Sequence, residues 1–214
     1  MKQVFDSIYI FGDSFAHNPH VETSELFASL VANYYKLPLF NYGVGGYGNE
    51  SIFKKIYEVV PTIEFKNPLI MVVYTCYLRK EIYNPKGKRP RNIDPEFFTE
   101  NFVKDYFAYY YDEKTLLVDT LTYINAVQVL LKTYNFEYIE MFSNSNPEST
   151  FYYNSSTLKI NSGKFLNPPC LHKICPDDRF ELHNDGIKNG HFTASGNKKV
   201  ADLIISTLDQ YYYS

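Results

Sequence analysis

The stretch that most constrains this chain is Ile8-Tyr9-Ile10-Phe11-Gly12-Asp13-Ser14-Phe15-Ala16. A short apolar run that breaks at glycine and delivers Asp and Ser reads as a buried strand ending in a tight turn. In open α/β sheets such strand ends are where ligands are placed. Ser14 is therefore a candidate nucleophile. Gly-Asp-Ser is equally an ordinary turn and helix-cap sequence, so its meaning depends on whether the remaining chain supplies a base and an oxyanion site.

The same alternation of strand and helix then repeats. Residues 15–23 lack a clear period and contain Pro19, which predicts a loop near the site. Thr23 or Ser24 can cap a helix over 25–35, with Leu26, Leu30, Val31 and Tyr34 on one face. Residues 39–42 form a second short apolar run that leads into Gly43-Val44-Gly45-Gly46-Tyr47-Gly48-Asn49. The helical pattern Ile52, Ile56, Val59, Val60 follows before Pro61. Leu69-Ile70-Met71-Val72-Val73-Tyr74 is the clearest buried strand. Three strand-to-helix units in succession predict a parallel sheet with helices on both faces.

Further along, residues 80–95 read as a polar, Pro-containing loop and 96–111 as an aromatic-rich helix. A stronger helix spans about 115–134 on Leu117, Leu121, Ile124, Val127, Leu131 and Tyr134. A fourth strand is expected over 136–142. An irregular region rich in Asn, Ser and Pro follows to about 189, and a last helix over 194–212 carries Val200, Leu203, Ile204 and Leu208 inward. No repeat or linker divides the 214 residues, so one domain over 1–214 is expected.

Composition narrows the function. A net charge of -3 with interspersed signs argues against an electrostatically driven nucleic-acid binder. Lys86-Gly87-Lys88-Arg89-Pro90-Arg91 reads as a solvated loop. No apolar run is long enough to span a bilayer, and Asp6 interrupts any signal-peptide pattern early, so synthesis in a cytoplasm without membrane attachment is expected. Three cysteines cannot all pair internally, which fits reduced thiols. The chain has 21 Tyr and 17 Phe but no Trp, a supply of amphipathic rings suited to carbohydrate sites or protein interfaces.

Three blocks together resemble the SGNH/GDSL family of serine esterases and deacylases, and the resemblance spans nearly the whole chain. Gly12-Asp13-Ser14 corresponds to the first block, which implies that Ser14 is the nucleophile and its backbone N–H an oxyanion donor. Asn41-Tyr42-Gly43-Val44-Gly45-Gly46 fits the second. There Gly46 would present its N–H to the oxyanion, and a side chain at Gly46 would obstruct the substrate carbonyl. These glycines do not form a dinucleotide fingerprint. His191-Phe192-Thr193-Ala194-Ser195-Gly196-Asn197, with Val200-Ala201-Asp202 after it, matches the last block and makes His191 the general base. The resemblance implies a three-layer α/β/α sandwich with a mainly parallel, flavodoxin-like sheet, and it calls for no cofactor.

Two positions depart from the family pattern. Where the third block carries an Asn donor, this chain has Thr75-Cys76, so either the Thr75 hydroxyl or the Asn49 amide would complete the oxyanion site. Where the family has an Asp three residues before the base, this chain has Lys188. Asp185 is the nearest carboxylate; Asn189 or a backbone carbonyl could hold the tautomer instead, or a Ser-His dyad could operate. The pattern of Gly46, Asn49, Thr75, Arg79 and Glu81 is similar to variant members found in bacteriophage and other mobile genomes. Asp13 and Arg79 are candidate substrate-binding residues, although Arg79 could simply pair with Glu81.

Cys170-x-His172-x-x-Cys175, near Asp177, Asp178 and His183, has zinc-ligand chemistry but not the spacing of a common finger, and no metal site is expected. Cys76 is expected to be a small buried hydrophobe. The function expected is hydrolysis of short acyl esters, O-acetyl groups on a carbohydrate foremost. The alternative is a binding or structural protein on the same fold, such as a virion component, with contact or self-association surfaces at Tyr211-Tyr212-Tyr213 and Phe107-Ala108-Tyr109-Tyr110-Tyr111.

Overall fold

The computed structural model describes residues 4–82, 91–93, 112–143, 164–180 and 190–212, with the backbone alone at 80–82 and 91–93. In chain order the elements are β1 (Ser7–Gly12), α1 (Ser14–His17), α2 (Phe27–Tyr35), β2 (Leu39–Gly43), α3 (Asn49–Val59), β3 (Pro68–Tyr74) and β4 (Lys80–Ile82). They continue as β5 (Arg91–Ile93), α4 (Glu113–Thr133), β6 (Glu137–Phe142), β7 (Phe165–Cys170), α5 (Leu171–Ile174) and α6 (Ala194–Tyr212). The main sheet has the order β2-β1-β3-β6-β7, and each neighbouring pair is parallel. This is the flavodoxin-like order, in which the first strand is interior, between β2 and β3, and the loops after every strand open at one edge.

Alternation along the strands builds the two cores. Ile8, Ile10, Met71, Val73, Ile139 and Met141 face α2 and α6. Tyr9, Phe11, Ile70, Val72, Tyr74 and Tyr138 face α3 and α4. Strands buried on both faces read as continuous apolar runs, which is why β1 and β3 are so plain in the sequence.

Several expectations need correction. Helix α2 begins at Phe27, after a 3₁₀ turn over Thr23–Glu25, and neither Thr23 nor Ser24 caps it. Its first free N–H, that of Phe27, donates instead to Asn197 Oδ1 of α6 at 3.1 Å. Tyr34 and Tyr134, placed on core faces by spacing, lie at the surface, 56% and 41% exposed. Residues 80–82 and 91–93, expected as loop, pair as an antiparallel ladder. Residues 165–174, expected as irregular, hold β7 and α5. Pro168 and Pro169 hide β7 in the sequence, and its edge position explains why they are tolerated there. The expected helix over 96–111 lies outside the described residues.

One ionisable group sits inside the α3/α4 side of the sheet. Glu140 is fully buried, accepting from Tyr74 Oη at 2.7 Å and Gln128 Nε2 at 2.6 Å. Burial pushes its carboxyl up to about 7, and the two hydrogen bonds only partly oppose this. A raised acid binds a proton in the folded state before the unfolded chain does, so stability from this group grows as pH falls from about 7 toward 4.5. Glu140→Gln is expected to remove that gain, which is on the order of 3 kcal/mol at most. Urea unfolding of both proteins at pH 7.5 and pH 5 measures it: the wild type should gain stability relative to the variant at the lower pH.

Candidate active site

The site forms where β1, β2 and β3 end. Asp13 leaves β1 and caps α1: its Oδ1 accepts the Phe15 N–H at 2.9 Å. Its Oδ2 accepts from Ser143 Oγ at 3.1 Å and faces the Arg79 guanidinium at 3.5 Å. Asp13 has no exposed surface, so it is a scaffold for the Ser14 turn and not a substrate contact. Arg79 is its partner, with a side chain 15% exposed, while the Glu81 side chain lies outside the description. Ser14, half-buried, opens α1 and carries one of the first helical N–H groups, which lack an intrahelical acceptor.

The glycine-rich turn after β2 is anchored to β1 through Val44 N–H, which donates to the Gly12 carbonyl at 3.1 Å. A side chain on Gly45 would come within 3.9 Å of Ser14 Cβ, so this exposed turn borders Ser14. The backbone itself gives a second reason for glycine at Gly46. A Cβ there would meet nothing within 4 Å; the requirement is its φ of +83°.

The expected side-chain oxyanion donors are occupied or enclosed. Asn49, buried at the start of α3, donates to the Thr75 carbonyl at 3.1 Å and to Thr120 Oγ1 at 3.3 Å. Its Oδ1 accepts the Thr75 N–H at 2.9 Å. Both amide hydrogens are thus committed, and Asn49 clamps the end of β3 instead of pointing toward an oxyanion. Thr75 has no exposed surface, and its Oγ1 is buried without a hydrogen-bond partner. In this geometry the hydroxyl is shut away from any substrate.

His191 sits in the loop before α6, its ring centroid 5.1 Å from the ring of Phe15, the residue after Ser14. The loop is held by a short antiparallel pairing: Phe180 N–H donates to the His191 carbonyl and Gly190 N–H to the Phe180 carbonyl, each at 2.9 Å. Arg179 Nε reaches the Gly190 carbonyl at 2.8 Å. Burial pushes the His191 imidazole below its ordinary range; His20, Arg79 and Arg179 add to the effect and Asp13 opposes it. The ring is therefore neutral at pH 7, as a general base must be. Among the described residues no hydrogen bond joins Ser14 Oγ to His191, a separation common in sites without substrate. Asp185, Lys188 and Asn189 lie outside the described residues.

Sequence reading missed three residues here: Ser143, His20 and Asn18. Ser143 stands directly after β6, a position that could have marked it once that strand was assigned. Asn18 carries a φ of 24°, a conformation asparagine tolerates, and links two loops through its amide. No local pattern advertises it.

The cysteines behave as packing groups. Cys175 Sγ donates weakly to the Leu171 and Gly196 carbonyls, and burial raises its thiol to about 11. The Asp178 carboxylate pairs with Lys199. Cys76, expected to be buried, is partly exposed in the turn after β3. Of the tyrosine surfaces, Tyr211 is exposed, while Tyr212 packs edge-on against Phe5 and donates to Glu137 Oε2 at 2.6 Å. Tyr213 and residues 107–111 lie outside the described residues.

Removing the Asn49 amide would leave the Thr75 N–H and carbonyl buried without partners. Asn49→Ala is expected to cost roughly 2–3 kcal/mol in urea unfolding.

No protein-family model and no curated protein matches the sequence. Solved structures do match the fold. A lipolytic protein of the G-D-S-L family from Desulfitobacterium hafniense DCB-2 superposes with a TM-score of 0.56 at 11% identity, covering 94% of this chain and 99% of that one. The psychrotrophic esterase EstA from Pseudoalteromonas sp. gives 0.55 at 13% identity over 98% of this chain and 100% of its own. A carbohydrate esterase whose active site displays divergent catalytic and non-catalytic binding functions gives 0.52 at 14% identity, over 97% of this chain and 69% of its own. The five-stranded parallel sheet flanked by helices is the α/β fold of the SGNH hydrolases.

Proposed function

We propose that this chain is a serine ester hydrolase of the SGNH/GDSL type that removes short acyl groups, with O-acetyl groups on a carbohydrate as its substrates. The observation that carries the reading is convergence. The Ser14 turn, the Gly45-Gly46 turn beside it and the His191 loop beside Phe15 meet at the edge of the sheet where the parallel strands end.

In this mechanism His191 takes the proton of Ser14 Oγ as the oxygen attacks the acyl carbon. The oxyanion rests on the backbone N–H groups of Ser14 and Gly46, since the side chains of Asn49 and Thr75 are committed or enclosed. The imidazolium then protonates the leaving alcohol, and water, activated by the neutral imidazole, releases the acyl group. Asp185 is the acid assigned to orient His191. The carbohydrate assignment draws on the abundance of Tyr and on the carbohydrate esterase among the similar folds.

A second reading is a binding protein that retains the fold, such as a virion component. It is favoured by the two departures from the family pattern, Thr75-Cys76 in the third block and Lys188 three residues before His191.

Hydrolysis of p-nitrophenyl acetate distinguishes the two. The wild type should turn over, and Ser14→Ala and His191→Ala should each lower kcat/KM by about 10³-fold or more. Because His191 is held below its usual range, the acid limb of kcat/KM should fall below pH 6.5. No turnover by the wild type on this ester or on acetylated glycans gives the binding reading. Asp185→Asn should lower kcat by up to about 10⁴-fold; an unchanged rate removes that residue from the mechanism.

A further inference from the structure

We propose that His20 is a positioning residue for His191, forming with it a fixed pair of imidazoles at the mouth of the site. The inference rests on the assignment of His191 as the base and adds a residue to it. The two ring centroids are 4.9 Å apart with planes inclined at 38°. His191 thus contacts two rings, His20 and Phe15, and His20 also meets Phe180 at 5.6 Å.

A single side chain holds the two backbones that carry these rings, with the His20 ring itself at the surface. Asn18, almost fully buried, accepts the His20 N–H on Oδ1 at 3.3 Å and donates from Nδ2 to the Phe192 carbonyl at 2.8 Å. Phe192 directly follows His191. The same Asn18 sends its backbone N–H to the Ser14 carbonyl at 2.6 Å. One residue therefore ties the backbone beside the base, the backbone of His20 and the helix of the nucleophile into one unit across 174 residues of sequence.

The pairing has an electrostatic consequence. When His20 carries its proton, a second proton on His191 places two like charges about 5 Å apart, which disfavours the His191 cation. The His20 ring thereby lowers the readiness of the His191 ring to take up a proton. Among the described residues the other charged groups acting on His191 are Asp13, Arg79 and Arg179; these, and Asp185 of the proposed mechanism, are unaltered by substituting His20.

The test is an NMR titration of the His191 ring in the wild type, His20→Phe and His20→Ala, alongside the acid limb of p-nitrophenyl acetate hydrolysis. His20→Phe keeps a ring against His191 but removes the charge. The His191 midpoint and the acid limb should both move up by about half a pH unit or more. His20→Ala should show the same upward movement together with a larger loss of plateau kcat, because the ring contact is gone. A His191 midpoint unchanged in His20→Phe overturns the proposal, as does a fall in kcat in both variants with the midpoint fixed. Should the wild type show no hydrolysis, the hydrolase reading fails separately, and the ring titration still decides whether the imidazoles act on one another.

Discussion

The geometry of this site depends on one buried carboxylate. Asp13 has no contact with solvent, and an ionised group in that position must be matched by partners or it becomes prohibitively unstable. Its partners come from three places: the Phe15 N–H at the start of α1, the Ser143 hydroxyl at the end of β6, and the Arg79 guanidinium beyond β3. The need to satisfy Asp13 therefore draws three separate crossovers to the edge of the sheet. Ser14 is its chain neighbour, so the proposed nucleophile inherits that fixed position. Specificity of placement, more than net stabilisation, is what such an arrangement supplies.

Side-chain amides repeat the same solution without adding charge. Asn41 accepts from Gly43 N–H at 2.8 Å and donates to the Ala16 carbonyl at 3.0 Å, joining the end of β2 to α1. Asn49 clamps Thr75, Asn18 joins the His20 and Phe192 backbones, and Asn197 accepts the Phe27 N–H while donating to Thr193. Backbone leaving a strand presents both unpaired N–H and unpaired C=O groups. An amide carries a donor and an acceptor on one rigid plane, so it can answer both at once. The loops around Ser14 are consequently tied to one another in pairs, which is the preorganisation an oxyanion site made of backbone N–H groups requires.

These physical differences also decide what could be read from the sequence. Strands β1 and β3 are buried on both faces and announce themselves as apolar runs; α4 does so by its three-and-four spacing. β7 is hidden because an edge strand tolerates Pro168 and Pro169, and β4 and β5 are too short to show alternation. At the site, Ser14, Gly46 and His191 stand out in the sequence because each lies in a contiguous block with a known chemical pattern, and the roles given to them belong to the proposed mechanism. Asn49 was legible as a residue of interest but not in its role: whether an amide faces a substrate or a neighbouring backbone is settled by packing across 26 residues of chain. Asn18 and His20 were invisible for the same reason. Their significance arises only when the loop after α1 meets the loop before α6.

The environment of His191 bears on which half of an acyl-transfer cycle is difficult. An aspartate partner stabilises the imidazolium, making the histidine a stronger base toward the serine. In the described part of this site the balance runs the other way: burial, His20 and two arginines favour the neutral ring, and the one opposing carboxylate, Asp13, is shared with Arg79 and Ser143. In the proposed mechanism a neutral ring is available as a base, but it would accept the Ser14 proton reluctantly. Once protonated, the same ring is a stronger acid, so it hands its proton to the leaving alcohol easily. By Brønsted reasoning such a site places its main barrier at formation of the first tetrahedral adduct and relieves the departure step. Under the proposed mechanism, discrimination among esters would then fall on how well the acyl carbonyl seats against the Ser14 and Gly46 backbone, and less on the acidity of the alcohol that leaves.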